Sequence, residues 1–192
     1  MAFWRRLKLL LLAGLVVSCG GDDSTRASAQ VTDIRLAQGP EGEPRIEASL
    51  AHQFGAPILE ALHHGVSLTL EWRVELLQER DNWLDQRVWS QRGARRIHFR
   101  PLSQRYTVVD EVTGQTSSYA ELDRVMEALS VLTVDLDQPW PQSDPPYARF
   151  RTRLVTAELP PPLRLPSYLS ADWRLDSGWH RGDPAAAVDN GP

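Results

Sequence analysis

The side chains in this sequence best equipped for chemistry are arginines. Six stand between Gln86 and Val109, at positions 87, 92, 95, 96, 100 and 105, with no acidic residue among them. Arg149, Arg151 and Arg153 alternate along one further stretch. A guanidinium is permanently charged and presents a planar fork suited to bidentate contact with carboxylates or phosphates. On a strand, residues two apart share a face at a spacing of about 6.6 Å, and like charges so placed repel unless acids on neighbouring strands answer them. Two readings follow. With acids alongside, such as Glu71 and Glu75, the face is a solvated surface whose exposed pairs contribute about 0–1 kcal/mol each. Without them, Arg149, Arg151, Arg153, Arg95 and Arg96 form a site for an anionic partner. Trp140, between Pro139 and Pro141, is the tryptophan placed to anchor a partner, whereas Trp72 and Trp173 lie on apolar alternations and belong to a core.

The histidines, at 52, 63, 64, 98 and 180, make no metal-binding pattern. His63 and His64 are neighbours on an expected helix, so about 100° of rotation separates them, and no HExxH or HxH spacing is present. No GxSxG elbow, glycine-rich phosphate loop or dinucleotide fingerprint occurs either. The expectation is no catalytic residue, no metal and no cofactor. The single cysteine excludes an internal disulfide framework.

That cysteine ends an export segment. Arg5, Arg6 and Lys8 precede an apolar run, Leu7 to Val17, too short for a free transmembrane helix of about 20 residues. Leu15-Val16-Val17-Ser18-Cys19 resembles the lipobox of bacterial lipoproteins, which implies cleavage before Cys19 and acylation of its thiol. The competing reading makes Cys19 only the end of the hydrophobic segment, with cleavage at Ala27-Ser28-Ala29. The first reading gives a signal peptide over residues 1–18 and a flexible tether over residues 19–30. The chain is then held to a membrane at the periplasmic face of the envelope, the outer membrane favoured over the inner.

The elements that must position the arginines follow from periodicity. Short strands are expected over Val31 to Gln38 and Arg45 to Gln53, then a helix from Pro57 to His64 with Gly65 at its end. From Val66 to Leu76, apolar and polar residues alternate without a break, the pattern of a strand with one face buried and one wet. Further strands are expected over Trp83 to Gln91, Ala94 to Arg100 and Gln104 to Val112, with Gly93 and Thr113-Gly114-Gln115 as turns. Ser118 and Glu121 predict a capping box opening a second helix on Leu122, Val125, Met126 and Leu129. Strands over Val131 to Asp135, Tyr147 to Ala157 and Ser170 to His180 complete the set, with Leu159-Pro160-Pro161-Pro162 as extended polyproline. The fold class is therefore mainly β, an antiparallel β-sandwich of about nine short strands with two short helices. It forms one β-rich domain over residues 31–180, followed by a disordered tail over residues 181–192.

The chain of 192 residues has a net charge of −4. Removing Arg5, Arg6 and Lys8 leaves 18 basic residues against 25 acidic, a balance of −7 that argues against nucleic-acid binding.

Four landmarks together resemble the bacterial family catalogued as domain of unknown function 4390. They are Ala61-Leu62-His63-His64-Gly65-Val66, Arg80-Asp81-Asn82-Trp83, Leu102-Ser103-Gln104-Arg105-Tyr106, and Arg151-Thr152-Arg153-Leu154 running through Leu159-Pro160-Pro161-Pro162-Leu163 to Asp172-Trp173-Arg174-Leu175-Asp176-Ser177. The resemblance implies an exported protein of Gram-negative bacteria and hints at partnership with a nitrogen-regulation-type membrane sensor kinase. The leading expectation is a non-enzymatic envelope module that binds an envelope protein. The alternative is a binder of anionic lipid or glycan headgroups through the arginine face, and a hydrolase stands third.

Overall fold

The computed structural model describes residues 26–81, 84–139 and 146–182. In chain order the strands are β1 (Ser28–Gln38), β2 (Pro44–Gln53), β3 (Leu68–Gln78), β4 (Gln86–Arg100), β5 (Arg105–Asp110), β6 (Thr116–Tyr119), β7 (Val131–Asp135), β8 (Tyr147–Leu154) and β9 (His180–Arg181). The helices are α1 (Ala56–His63), α2 (Leu122–Leu129) and α3 (Pro161–Leu169), with 3₁₀ turns at Thr156–Glu158 and Ala171–Trp173. A three-stranded sheet, β1-β2-β7, packs over a six-stranded sheet, β6-β5-β4-β3-β8-β9, and every pairing is antiparallel. This is the mainly β sandwich that the alternation predicts.

The core is the meeting of the two inner faces. Ile46 and Ala48 from β2 and Leu132 and Val134 from β7 pack with Trp72, Val74 and Leu76 from β3 and with Ala148 and Phe150 from β8. A second cluster fills the end of the sandwich, where α1, α2 and the Ala171–Trp173 turn cover Leu68, Leu70, Ile97 and Leu154. The outer face of the six-stranded sheet carries the polar half of the alternation, Glu71, Arg73 and Glu75 on β3 and Arg149, Arg151 and Arg153 on β8.

α1 ends as expected. Gly65 has φ +82°, its N–H donates to the Leu62 carbonyl and that of Val66 to Ala61, so a left-handed residue closes the helix and satisfies its last carbonyls.

Four expectations need correction. First, Trp83 to Gln91 and Ala94 to Arg100 are not two strands divided at Gly93: β4 runs unbroken from Gln86 to Arg100. Gly93 pairs with Trp72, and a Cβ there would lie 2.4 Å from the indole and 2.3 Å from Val112 Cγ2. The glycine makes room for a ring and does not turn the chain. Second, Ser118 does not cap α2. It lies in β6, where Tyr119 pairs with Tyr106, and it accepts a hydrogen bond from Arg105; the N-cap position belongs to Glu121, without a side-chain cap. Third, the extended stretch expected over Leu159-Pro160-Pro161-Pro162 stops at Pro160, and a third helix opens at Pro161. Pro161 and Pro162 fall in its first turn, where the missing amides have no helical partner to lose. Fourth, Ser170 to His180 is not a strand. Ser170 caps the Ala171–Trp173 turn, Asp176 makes a single bridge to Arg153, and pairing resumes only at His180–Arg181. β1 also begins at Ser28, ahead of the expected Val31, because Ala27 and Ala29 are buried in the end cluster.

His52, at the end of β2, carries a pH prediction. Its Nε2 is buried without a hydrogen-bond partner among the described residues. Burial, helped by the nearby positive charge of Arg95, lowers its pKa to about 4. The unfolded chain takes up a proton near pH 6.5 and the folded chain does not. Stability should therefore be full above about pH 6.5, fall as pH drops toward 4, and lose on the order of 3 kcal/mol from this residue. Urea midpoints across that window should slope for the natural chain and flatten for His52→Leu. An unchanged slope in the variant would contradict the assignment.

Candidate functional site

The two arginine groups separate by face. β4 alternates through Ile97, buried on the inner side, so Arg95 points inward and Arg96 outward. Arg95 donates from its terminal nitrogen to the carbonyls of Ala128 and Val131 at 3.1 and 3.0 Å, and from Nε to Asp110 at 3.3 Å. It ties the end of α2 and the start of β7 to β4. Burial pushes the Asp110 carboxyl up, but the backbone N–H groups of Thr113 and Val112 and the Arg95 guanidinium outweigh it and hold the pKa below its ordinary value. Arg95 is a latch of the fold and leaves the candidate surface.

Arg96, Arg149, Arg151 and Arg153 share the outer face, and acids answer all four, the outcome expected of a solvated surface and not of an unpaired anion site. Arg149 donates to Glu75 from Nε at 2.8 Å, Arg151 to Asp176 from Nε at 2.9 Å, and Arg153 to Glu71 at 3.0 Å. Arg96 pairs with Glu111 at 2.6 Å. Glu75 is the centre of this network. It also receives Arg73 at 3.1 Å and Arg87 at 3.2 Å, and its side chain is only 2% exposed although it stands on the polar side of β3. Burial alone would raise its pKa, but the hydrogen bonds and charge of Arg149, followed by those of Arg87 and Arg73, bring it below the usual carboxylate value. Asp176 is likewise lowered, first by the Arg151 hydrogen bond against the pull of burial, then by the Gly178 N–H.

Beside the network stands Trp179, 39% exposed, with the Arg149 guanidinium 4.6 Å above its ring. Glu71, Arg73, Arg151, Arg153 and Trp179 line a pocket of about 170 Å³. Toward the sheet edge, Arg181 stacks on the Tyr147 ring at 3.6 Å and pairs with Glu79, while Tyr147 donates to Asp85 at 2.5 Å. Arg92, exposed and paired across the sheet with Arg73, has no acid partner among the described residues. Seven arginines (73, 87, 96, 149, 151, 153 and 181) thus meet six carboxylates (71, 75, 79, 111, 158 and 176) in ion pairs, with Arg92 beside them.

The structure therefore brings Arg149, Arg151, Arg153 and Arg96 to one face and takes Arg95 from it. Cys19 and Trp140, together with Asn82 and Trp83 of the second landmark, lie outside the described residues. Trp179 is not marked as a surface group by periodicity, because the strand expected over Ser170 to His180 runs through it. The glycine beside it in the sequence is the sign that the strand pattern is broken there, and in the structure Gly178 takes φ +63°.

Three of the histidines have local partners. His63 Nε2 lies 2.7 Å from the Tyr106 hydroxyl, His64 Nδ1 lies 2.8 Å from the Glu60 carbonyl, and His98 Nδ1 lies 3.2 Å from Ser67 Oγ. Among the described residues no three His, Cys, Asp or Glu side chains are grouped to hold a metal ion, and no helix is long and apolar enough to cross a membrane.

Comparison with known proteins places this arrangement in a family. The model of the family described as "Domain of unknown function (DUF4390)" matches residues 26–183, and the chain belongs to that family. No curated protein and no solved structure matches it.

Proposed function

For this member of the DUF4390 family, we propose a non-enzymatic binding module of the cell envelope. It is exported, held at the periplasmic face by acylated Cys19, and docks a segment of an envelope protein over Trp179 on the outer face of the six-stranded sheet. The observation that carries the reading is Trp179 beside the arginine network. Tryptophan and arginine together are the side chains that most often dominate protein interfaces, and here both are already held in place. Glu75, Glu71 and Asp176 fix the guanidinium planes, so little side-chain entropy remains to be lost on binding. The same ion pairs weigh against capture of a small free anion, which would compete with carboxylates already in position. A protein segment covers Trp179 and offers polar groups of both signs to a network whose charges are already paired.

The variant Arg151→Gln, Arg153→Gln, Trp179→Ala tests the face. Arg151 and Arg153 make partly exposed pairs worth about 0–1 kcal/mol each, so thermal unfolding should shift little. Affinity capture from solubilised envelopes should retain one discrete partner with the natural chain and with a Thr133→Ala control, release it in high salt, and lose it with the triple variant. Equal capture by the triple variant would overturn the reading.

A further inference from the structure

We infer that the α3 end of the sandwich seats on a lipid bilayer, with α3 as an interfacial helix. The helix is inverted for a globular protein. Leu163 is partly buried against the core and Ser167 is the one buried residue, while Leu165, Tyr168 and Leu169, at the i, i+3, i+4 spacing of one helix face, are 67%, 61% and 76% exposed. Leu102, in the turn from β4 to β5, is fully exposed at the same end. Such a concentration of solvent-facing apolar side chains marks a surface that is covered in use.

The chain outside the described residues points to what covers it. β1 begins where β2 ends, Ser28 opposite Gln53, and Gln53 leads through Phe54 into α1. α1 and α3 both pack on the Ala171–Trp173 turn. The chain before Arg26 therefore joins the domain at the end that carries α3. Cys19 is seven residues before Arg26, a span of at most about 25 Å even when fully extended. With Cys19 acylated, this end stays within that distance of the bilayer. The residues there suit an interface: leucines for the acyl boundary, the tyrosine ring for the headgroup level, and exposed Arg164 and Arg174 for anionic headgroups. Arg153 and Asp176 of the arginine network border this end, sharing a pocket of about 230 Å³ with Tyr168 and Arg174, and the network runs from there along β8 through Arg151 to Arg149.

The inference rests on the tether in the proposed function, and one experiment separates the two. The full chain, matured in a bacterial host, is reconstituted into vesicles of phosphatidylethanolamine and phosphatidylglycerol containing a phospholipid with a photoactivatable acyl chain. Flotation reads the tether, and mapping of labelled peptides reads the docking. The chain should float, and label should appear in residues 161–174 as well as at the N-terminus. Leu165→Glu with Leu169→Glu, on the surface and so harmless to folding, should float equally and lose the label in residues 161–174. A chain that fails to float overturns both readings. A chain that floats with label confined to the N-terminus, or with label in residues 161–174 unaffected by the two substitutions, overturns the docking alone.

Discussion

Replacing Glu75 with Gln should cost on the order of 3 kcal/mol of stability, a large fraction of what a domain of this size possesses. The carboxylate is 2% exposed and receives Arg149, Arg87 and Arg73. Charge-assisted hydrogen bonds of this kind contribute more than neutral ones, and a glutamine amide accepts from only one of its two ends. The substitution also leaves three guanidinium groups crowded together without a counter-charge. A second effect separates this from mere loss of packing. Because the folded carboxylate titrates below its ordinary value, its contribution is present above the unfolded pKa of about 4.3 and is lost as pH falls through the lower folded value. Chemical denaturation of Glu75→Gln should show the deficit at pH 7 and a smaller one in strong acid. An equal stability at pH 7 would show that the network is decoration.

Trp72→Ala should cost about 3–5 kcal/mol and lower the melting temperature accordingly. Trp72 is 5% exposed between the sheets and stacks on Phe150 with ring centroids 6.5 Å apart and planes 14° from parallel. Its Nε1 has no hydrogen-bond partner among the described residues, so the ring contributes by packing alone. Gly93 tests the same contact from the opposite strand. Gly93→Val, with side-chain atoms placed where the indole and Val112 now stand, must displace the ring and should destabilise by at least 1 kcal/mol. If both variants melt with the natural chain, the core is elsewhere.

The alternation over β3 made that strand and its buried residues legible from sequence, since Leu68, Leu70, Trp72, Val74 and Leu76 all face inward. The start and end of β7 were equally clear. What stayed hidden depends on contacts distant in sequence. Glu71 and Glu75 are legible as counter-charges to the β8 arginines, but the burial of Glu75 is not, because it needs β8 beside β3 and three guanidinium groups over one carboxylate. Arg95 and Arg96, adjacent on β4, face opposite ways, so alternation along the expected strand from Ala94 to Arg100 already separates them; that Arg95 reaches the Ala128 and Val131 carbonyls depends on α2 and β7 lying beside it. The consecutive prolines hid α3, whose apolar spacing at 165, 168 and 169 was otherwise visible. Asp176 and Trp179 reach the arginine face only because the chain after Trp173 returns along β8 by isolated contacts that no periodicity marks.

The central claim is that the outer face at Trp179 meets a protein partner, and site-specific photocrosslinking tests it most directly. A photoreactive phenylalanine analogue at position 179 of the intact chain, irradiated in native envelopes, should give one discrete protein adduct that high salt suppresses. The same group at Thr133, on the three-stranded sheet, should give none. Adducts from position 133 matching those from 179, or from neither position, would contradict the account.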